Sequence, residues 1–303
     1  MNGLGGGLRL YEKQRSRADI ATATARVSAH LRSGELSPRY LFHLIRDSGL
    51  SQVCVCVCVC VCVCVCVCMC ACLSLSLSLS LLTSSFFPSQ EEVKTFARRL
   101  HWRDLAYYQL SAFHDLRTVG IRKHYDATEW VSPPEEAARR LRAWQRGVTG
   151  YPIVDAGMRE LWKTGWMCQS VRMVVASFLV EYLRCNWVEG EKWFFDTLVD
   201  SDSAINAMMW QNAGRSGIDQ WNFVLSPENA SQDPSGEYTR LWCPELAKLS
   251  NQYIHTPWKA PSHVLQRAGV QLGVTYPERI VEDLPREREA SVEAVLRYVR
   301  ESE

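Results

Sequence analysis

The sequence predicts an all-α fold, and three observations carry that expectation. Apolar residues recur at helical spacing in residues 91–113, 135–147, 152–163, 167–187, 189–199 and 203–213. Helix punctuation frames these runs: Pro133-Pro134 precedes Glu135, and Gly147 and Gly165 stand where two of them should stop. The same runs show few of the β-branched alternations that a half-buried strand requires.

The first residues, MNGLGGGLRLYEKQRS, contain neither an apolar core segment nor a cleavage pattern, so no secretory leader is read there. Residues 53–82, VCVCVCVCVCVCVCVCMCACLSLSLSLSLL, admit three readings. The run is long and apolar enough to span a bilayer. Its two-residue alternation also suits a strand prone to aggregation. The third reading is preferred: GTGTGT translates as Val-Cys and CTCTCT as Leu-Ser, so the stretch looks like a translated dinucleotide repeat. LTSSFFPSQ (82–90) is codable as a pyrimidine-rich tract closing in CAG, the usual end of an intron. Residues 48–90 are therefore expected to be a translated intron or gene-model error, and residues 50–88 to make few contacts with the rest of the fold. Removal of 48–90 joins GELSPRYLFHLIRD (34–47) to EEVKTFARRLHWRDLAYYQL (91–110).

Downstream, TGYPIVDAGMRELWKTGWM (149–167) sets Ile153, Val154, Gly157, Met158, Leu161 and Trp162 at helical spacing behind a proline suited to a first turn. In VDSDSAINAMMW (199–210), two carboxylates stand two apart, Asp200 and Asp202, followed by Asn206 and Trp210. The plain reading of the pair is capping of a helix that begins at Ser203. Residues 214–238 read as loop, and 284–303 as a charged closing helix with a solvated face. The expected segments are thus 1–47, 48–90, 91–283 and 284–303.

Composition narrows the function classes. The 34 basic and 33 acidic residues leave a net charge of +1, so any nucleic-acid surface must be local. Of the 13 cysteines, ten lie between Cys54 and Cys72, which leaves Cys168, Cys185 and Cys243 without disulfide or metal-ligand spacing. A reducing compartment, nucleus or plastid among them, fits that usage. No metal site is expected, and a monomer is.

The strings at 149–167 and 199–210, with RMVVASFLV (172–180) between them, resemble the flavin-binding helical domain of the photolyase/cryptochrome family. The resemblance implies an FAD cofactor and the helical domain without the family's N-terminal α/β antenna domain. It also implies a short connection where residues 48–90 intervene. TARVSAHLRSGELSPR (24–39) stands at the family's phosphate loop, which makes Thr24 and Ser28 phosphate-side hydroxyls and puts Ala25 at a family serine. The resemblance further assigns Tyr11, Phe96 and Arg103 to the flavin side. Arg172 and Asp200 become a buried pair, Asp202 an acceptor for the flavin, and Asn206 the residue facing flavin N5.

Trp210, Trp187 and Trp130 correspond to the family's electron relay, in that order from flavin toward surface. On the DNA side the resemblance places Arg15, Trp102 and Met173. It also puts Arg99 at a glutamate position, Gln169 at an asparagine position and Asn212 where a second tryptophan would stack. Cys168 stands where many relatives carry histidine, which argues against lesion chemistry needing that acid. The expectation is a light-driven deoxyribodipyrimidine photolyase acting on damaged DNA, and membrane association is not expected. A cryptochrome-like receptor without repair and a mis-spliced, non-functional fragment stand as alternatives.

Overall fold

The computed structural model describes residues 11–45, 90–218 and 224–302. The tract at 48–90, with its expected isolation, falls outside these apart from Gln90. Among the described residues there is no strand, and the ordered elements are helices. They are α1 (Ser28–Ser33), α2 (Gln90–Ala112), α3 (Pro134–Arg146), α4 (Pro152–Thr164), α5 (Gln169–Ser177), α6 (Trp187–Thr197), α7 (Ser203–Ala213), α8 (Glu237–Trp242), α9 (Ser262–Ala268) and α10 (Leu284–Ser302). None of them is long and apolar enough to cross a membrane.

The chain divides into two compact units, Met1–Arg15 with Thr22–Asp104, and Ser16–Ala21 with Leu105–Glu303. In the first, Leu41, Ile45, Phe96 and Leu100 form a small core, with Tyr11, Val27 and Leu31 packed against it. In the second, Tyr151 and, from α4, Ile153, Val154 and Met158 meet Val171, Val174 and Val175 from α5 and Trp210 from α7 in one large core.

Local chemistry fixes the ends of these helices. Pro134 and Pro152 occupy first-turn positions, where a missing N–H costs nothing. Gly147 and Gly165 close α3 and α4 at φ 62° and 69°, in the left-handed region that glycine enters freely. Asp155 starts α4 from inside: it is buried and accepts from Thr149 N, Thr149 Oγ1, Gly150 N and Tyr276 Oη.

The run 167–187, expected as one helix, is three pieces. Cys168 is extended at the start of α5, the helix widens into a π-turn over Phe178–Tyr182, and Arg184 turns left-handed at φ 52°. The Asn186 side chain then accepts from Val188 N at 3.0 Å and starts α6. Apolar periodicity continues through this break because both sides face the same core.

The closing helix also departs from expectation, since α10 does not present a merely solvated face. Buried Glu181, in the π-turn, accepts from Arg215, from Arg288 Nη1 at 2.8 Å and from Ser291 Oγ at 2.9 Å. Two of those donors belong to α10. A carboxylate out of water needs such partners, and they draw the charged helix onto the domain.

Helices α6 and α7 meet through reciprocal aromatic-on-glycine contacts. A Cβ on Gly190 would lie 2.2 Å from the Trp210 ring, and one on Gly214 would lie 2.4 Å from the Trp187 ring. Gly190→Ala should therefore overpack the seam and cost about 1–3 kcal/mol, measured as a lower denaturant midpoint. An unchanged midpoint would mean that the two helices can part without penalty.

Candidate functional site

Residues 198–202 connect α6 to α7 along the rim of an open concavity. Its wall is built from α5 (Gln169, Arg172, Ala176), α6 (Phe194), the connection (Leu198, Asp200, Ser201, Asp202) and α7 (Ile205, Asn206, Met209, Trp210). Four residues singled out in the sequence, Arg172, Asp200, Asp202 and Asn206, thus line one space with Trp210.

Each is held in place. Arg172 Nη2 donates to both Asp200 oxygens, at 3.0 and 2.9 Å, while its Nε donates to Met167 O at 2.8 Å. The Asp200 carboxyl is 4 % exposed, so the guanidinium is what makes its burial tolerable. Asp202 Oδ1 accepts from Ala204 N and Ile205 N, at 3.0 and 3.1 Å, and so caps α7. The plain reading of Asp202 therefore holds together with its place in the wall. Its Oδ2 accepts from Tyr107 Oη at 2.7 Å. Asn206 Nδ2 donates to Glu191 O and Glu191 Oε1, at 3.0 and 3.1 Å, which leaves the amide oxygen as the group to meet a ligand. Glu191 is itself buried and is neutralised by Arg117, which lies over the Phe195 ring.

The three tryptophans differ in setting. Trp210 and Trp187 are buried, and Trp130 is partly buried against the same core. Trp210 stands edge-on to Phe194 at 5.0 Å and to Trp144 at 6.2 Å. Trp144, unassigned in the sequence, is fully buried and donates from Nε1 to Val175 O at 2.9 Å.

The remaining residues expected at the flavin belong to the other unit. There Tyr11 meets Phe96 edge-on at 5.2 Å. Thr24, Ser28 and Arg103 are partly buried, and the residue that caps α1, Val27, brings no side-chain hydrogen bond. Neither hydroxyl is therefore used up as the cap of that helix.

On the expected DNA side, Arg15 and Trp102 are partly buried and Arg99 is exposed. Gln169 is exposed at the concavity, and Met173 is partly buried. Asn212 is buried at 2 % exposure, and its Oδ1 has no hydrogen-bond partner among the described residues. It therefore offers no open face for stacking. Burial pushes the Cys168 thiol up despite the nearby Ser170 hydroxyl, and pushes Cys185 up to about 12. Neither thiol is a useful acid or nucleophile near neutral pH.

This donor set fits the ring end of a flavin. A flat, largely apolar ring needs walls such as Phe194, Leu198 and Trp210, and its polar edge needs a cation, acceptors and an amide. Three contributors escaped the sequence reading: Tyr107, Glu191 and Arg117. Glu191 alone left a signal, a carboxylate on the apolar side of WVEGEKWFF. Among the described residues no group of acidic, cysteine and histidine side chains is arranged to hold a metal.

Comparison with known proteins agrees with this chemistry. A sequence profile described as the FAD binding domain of DNA photolyase matches residues 96–297. A deoxyribodipyrimidine photo-lyase of Agrobacterium fabrum is 37 % identical over 281 residues, covering 91 % of this chain and 50 % of the relative. Cryptochrome-1 of Arabidopsis thaliana is 36 % identical over 285 residues, covering 92 % of this chain and 36 % of the relative. The crystal structure of a bacterial class III photolyase from Agrobacterium tumefaciens superposes with a TM-score of 0.80 at 35 % identity, over 97 % of this chain and 53 % of that one. A Synechocystis cryptochrome structure gives a TM-score of 0.76 at 27 % identity, over 95 % of this chain and 52 % of that one. The chain spans about half, or less, of the length of these proteins.

Asp200→Ala should leave Arg172 in the wall without its counter-charge and destabilise the fold by about 3–5 kcal/mol, read in urea titration. Replacing both partners, Arg172→Met with Asp200→Leu, should recover most of the loss. A single variant as stable as the parent would contradict a buried pair.

Proposed function

Because the chain belongs to the DNA photolyase/cryptochrome family and carries that family's FAD-binding domain, we propose that it is a light-driven repair flavoprotein of the deoxyribodipyrimidine photolyase type. Its substrate is DNA containing a pyrimidine dimer. The observation that carries this reading is a concavity walled by the Arg172–Asp200 pair, Asp202 and Asn206, with Trp210 behind them. Bound FAD supplies light absorption and electron transfer.

The residues of the chain do the rest. Arg172 brings a cation whose charge is already balanced by Asp200, so it can favour an anion in the concavity without being an unpaired buried charge beforehand. Asn206 adds an acceptor without adding charge, because Glu191 holds its Nδ2. In the other unit, Tyr11, Phe96 and Arg103 supply aromatic and cationic flavin contacts, and Thr24 and Ser28 supply hydroxyls for the pyrophosphate. Trp210, Trp187 and Trp130 are oxidisable rings assigned to carry electrons inward from the surface. Toward the dimer, Met173 is assigned an apolar contact and Gln169 a polar one; in the other unit Trp102 is assigned a stacking contact, and Arg15 and Arg99 bind phosphate by charge.

A second reading, a blue-light receptor that binds flavin but does not repair, is favoured by Asn212. Buried at 2 % exposure, it cannot replace a stacking tryptophan. One set of samples separates the readings. The chain lacking residues 48–90 should co-purify with FAD and photoreduce it in blue light with an external reductant. Trp210→Phe should lose most of that photoreduction while keeping the flavin, because phenylalanine keeps a ring in place but resists oxidation. Trp193→Phe, whose ring stacks on Trp162 at 5.6 Å, should behave like the parent. Light-dependent repair of a thymine-dimer oligonucleotide supports the photolyase reading, and photoreduction without repair supports the receptor. A protein that takes up no FAD overturns both.

A further inference from the structure

We infer that Tyr107 is a positioning residue of this site that acts through Asp202, an inference that rests on the flavin reading of the concavity. Asp202 is 3 % exposed and forms part of the wall. Its Oδ1 is bound by two amides of its own helix, Ala204 N and Ile205 N. These hold the carboxylate to α7 at one oxygen and leave rotation of its plane to be set by the other. Tyr107 Oη, on α2 and 95 residues earlier, donates to that other oxygen at 2.7 Å. The plane of Asp202 is thereby fixed from two helices. The tyrosine ring is 45 % exposed, so burial gives it little reason to sit there. Its hydroxyl is the specific contact, and a charge-assisted one.

The test is a double-mutant cycle on the full chain, with FAD affinity read by quenching of flavin fluorescence and the midpoint potential of the bound flavin read alongside. Tyr107→Phe should weaken FAD binding about tenfold and shift the potential, while the unfolding midpoint of the FAD-free protein changes little. Asp202→Asn should weaken binding as well. The double variant should bind no more weakly than Asp202→Asn alone, because the tyrosine's hydroxyl reaches the wall through its bond to that carboxylate. Tyr107→His, which keeps a ring donor, should recover part of the affinity. Additive losses in the double variant would overturn the inference, and so would a Tyr107→Phe protein that binds FAD like the parent. A loss of FAD-free stability matching the loss of affinity would reduce Tyr107 to a structural strut and overturn it too. If the parent binds FAD and the cycle is additive, only this inference fails; if the parent binds none, the flavin reading fails with it.

Discussion

The distance between α6 and α7 governs the geometry of the site. That distance is set by two tryptophans lying on two glycines, Trp210 on Gly190 and Trp187 on Gly214. A helix pair normally keeps about 8–10 Å between axes because side chains stand between them. Where one partner is glycine the large ring can lie directly on backbone, which permits close approach without leaving a void. The connection at 198–202 then brings Asp200 to Arg172 on α5 and Asp202 into the same wall. Any slackening at the seam would move the carboxylates and the Asn206 amide together.

Burying charged groups in an apolar bundle requires that each charge be answered. Arg172 answers Asp200, Arg117 answers Glu191, and Arg215 with Arg288 answers Glu181. Such pairs add little net stability against apolar replacements, yet losing one partner is costly. Their value here is positional. Glu191 fixes which end of the Asn206 amide meets the concavity, and Arg172 is turned toward it by bonds to Asp200 and to the Met167 carbonyl.

Much of this was legible in the chain. The helices α3 and α4, flanked by proline and glycine, and α7, capped by Asp202, fall within a residue of where periodicity and punctuation put them, because their ends are fixed by local chemistry. Arg172, Asp200, Asp202, Asn206 and Trp210 stand in two short strings, and the fold brings those strings together. The break after the π-turn was not legible, since a left-handed arginine at 184 leaves no mark on the apolar pattern. Tyr107 and Arg117 were not legible either. Their partners lie 95 and 74 residues away, a separation at which only the folded chain pairs them. The same holds for α10, whose anchor, Glu181, lies 107 residues before Arg288.

The most direct test of the central claim, that the concavity between α5, α6 and α7 receives the flavin ring, is amide hydrogen exchange with and without added FAD. Exchange is slowed where a ligand buries backbone or stops local opening. The account predicts slowed exchange in residues 169–176 and 198–210 when FAD is added, and loss of that effect in Asp200→Ala. Slowed exchange elsewhere in the chain, with both of these stretches unchanged, would contradict it.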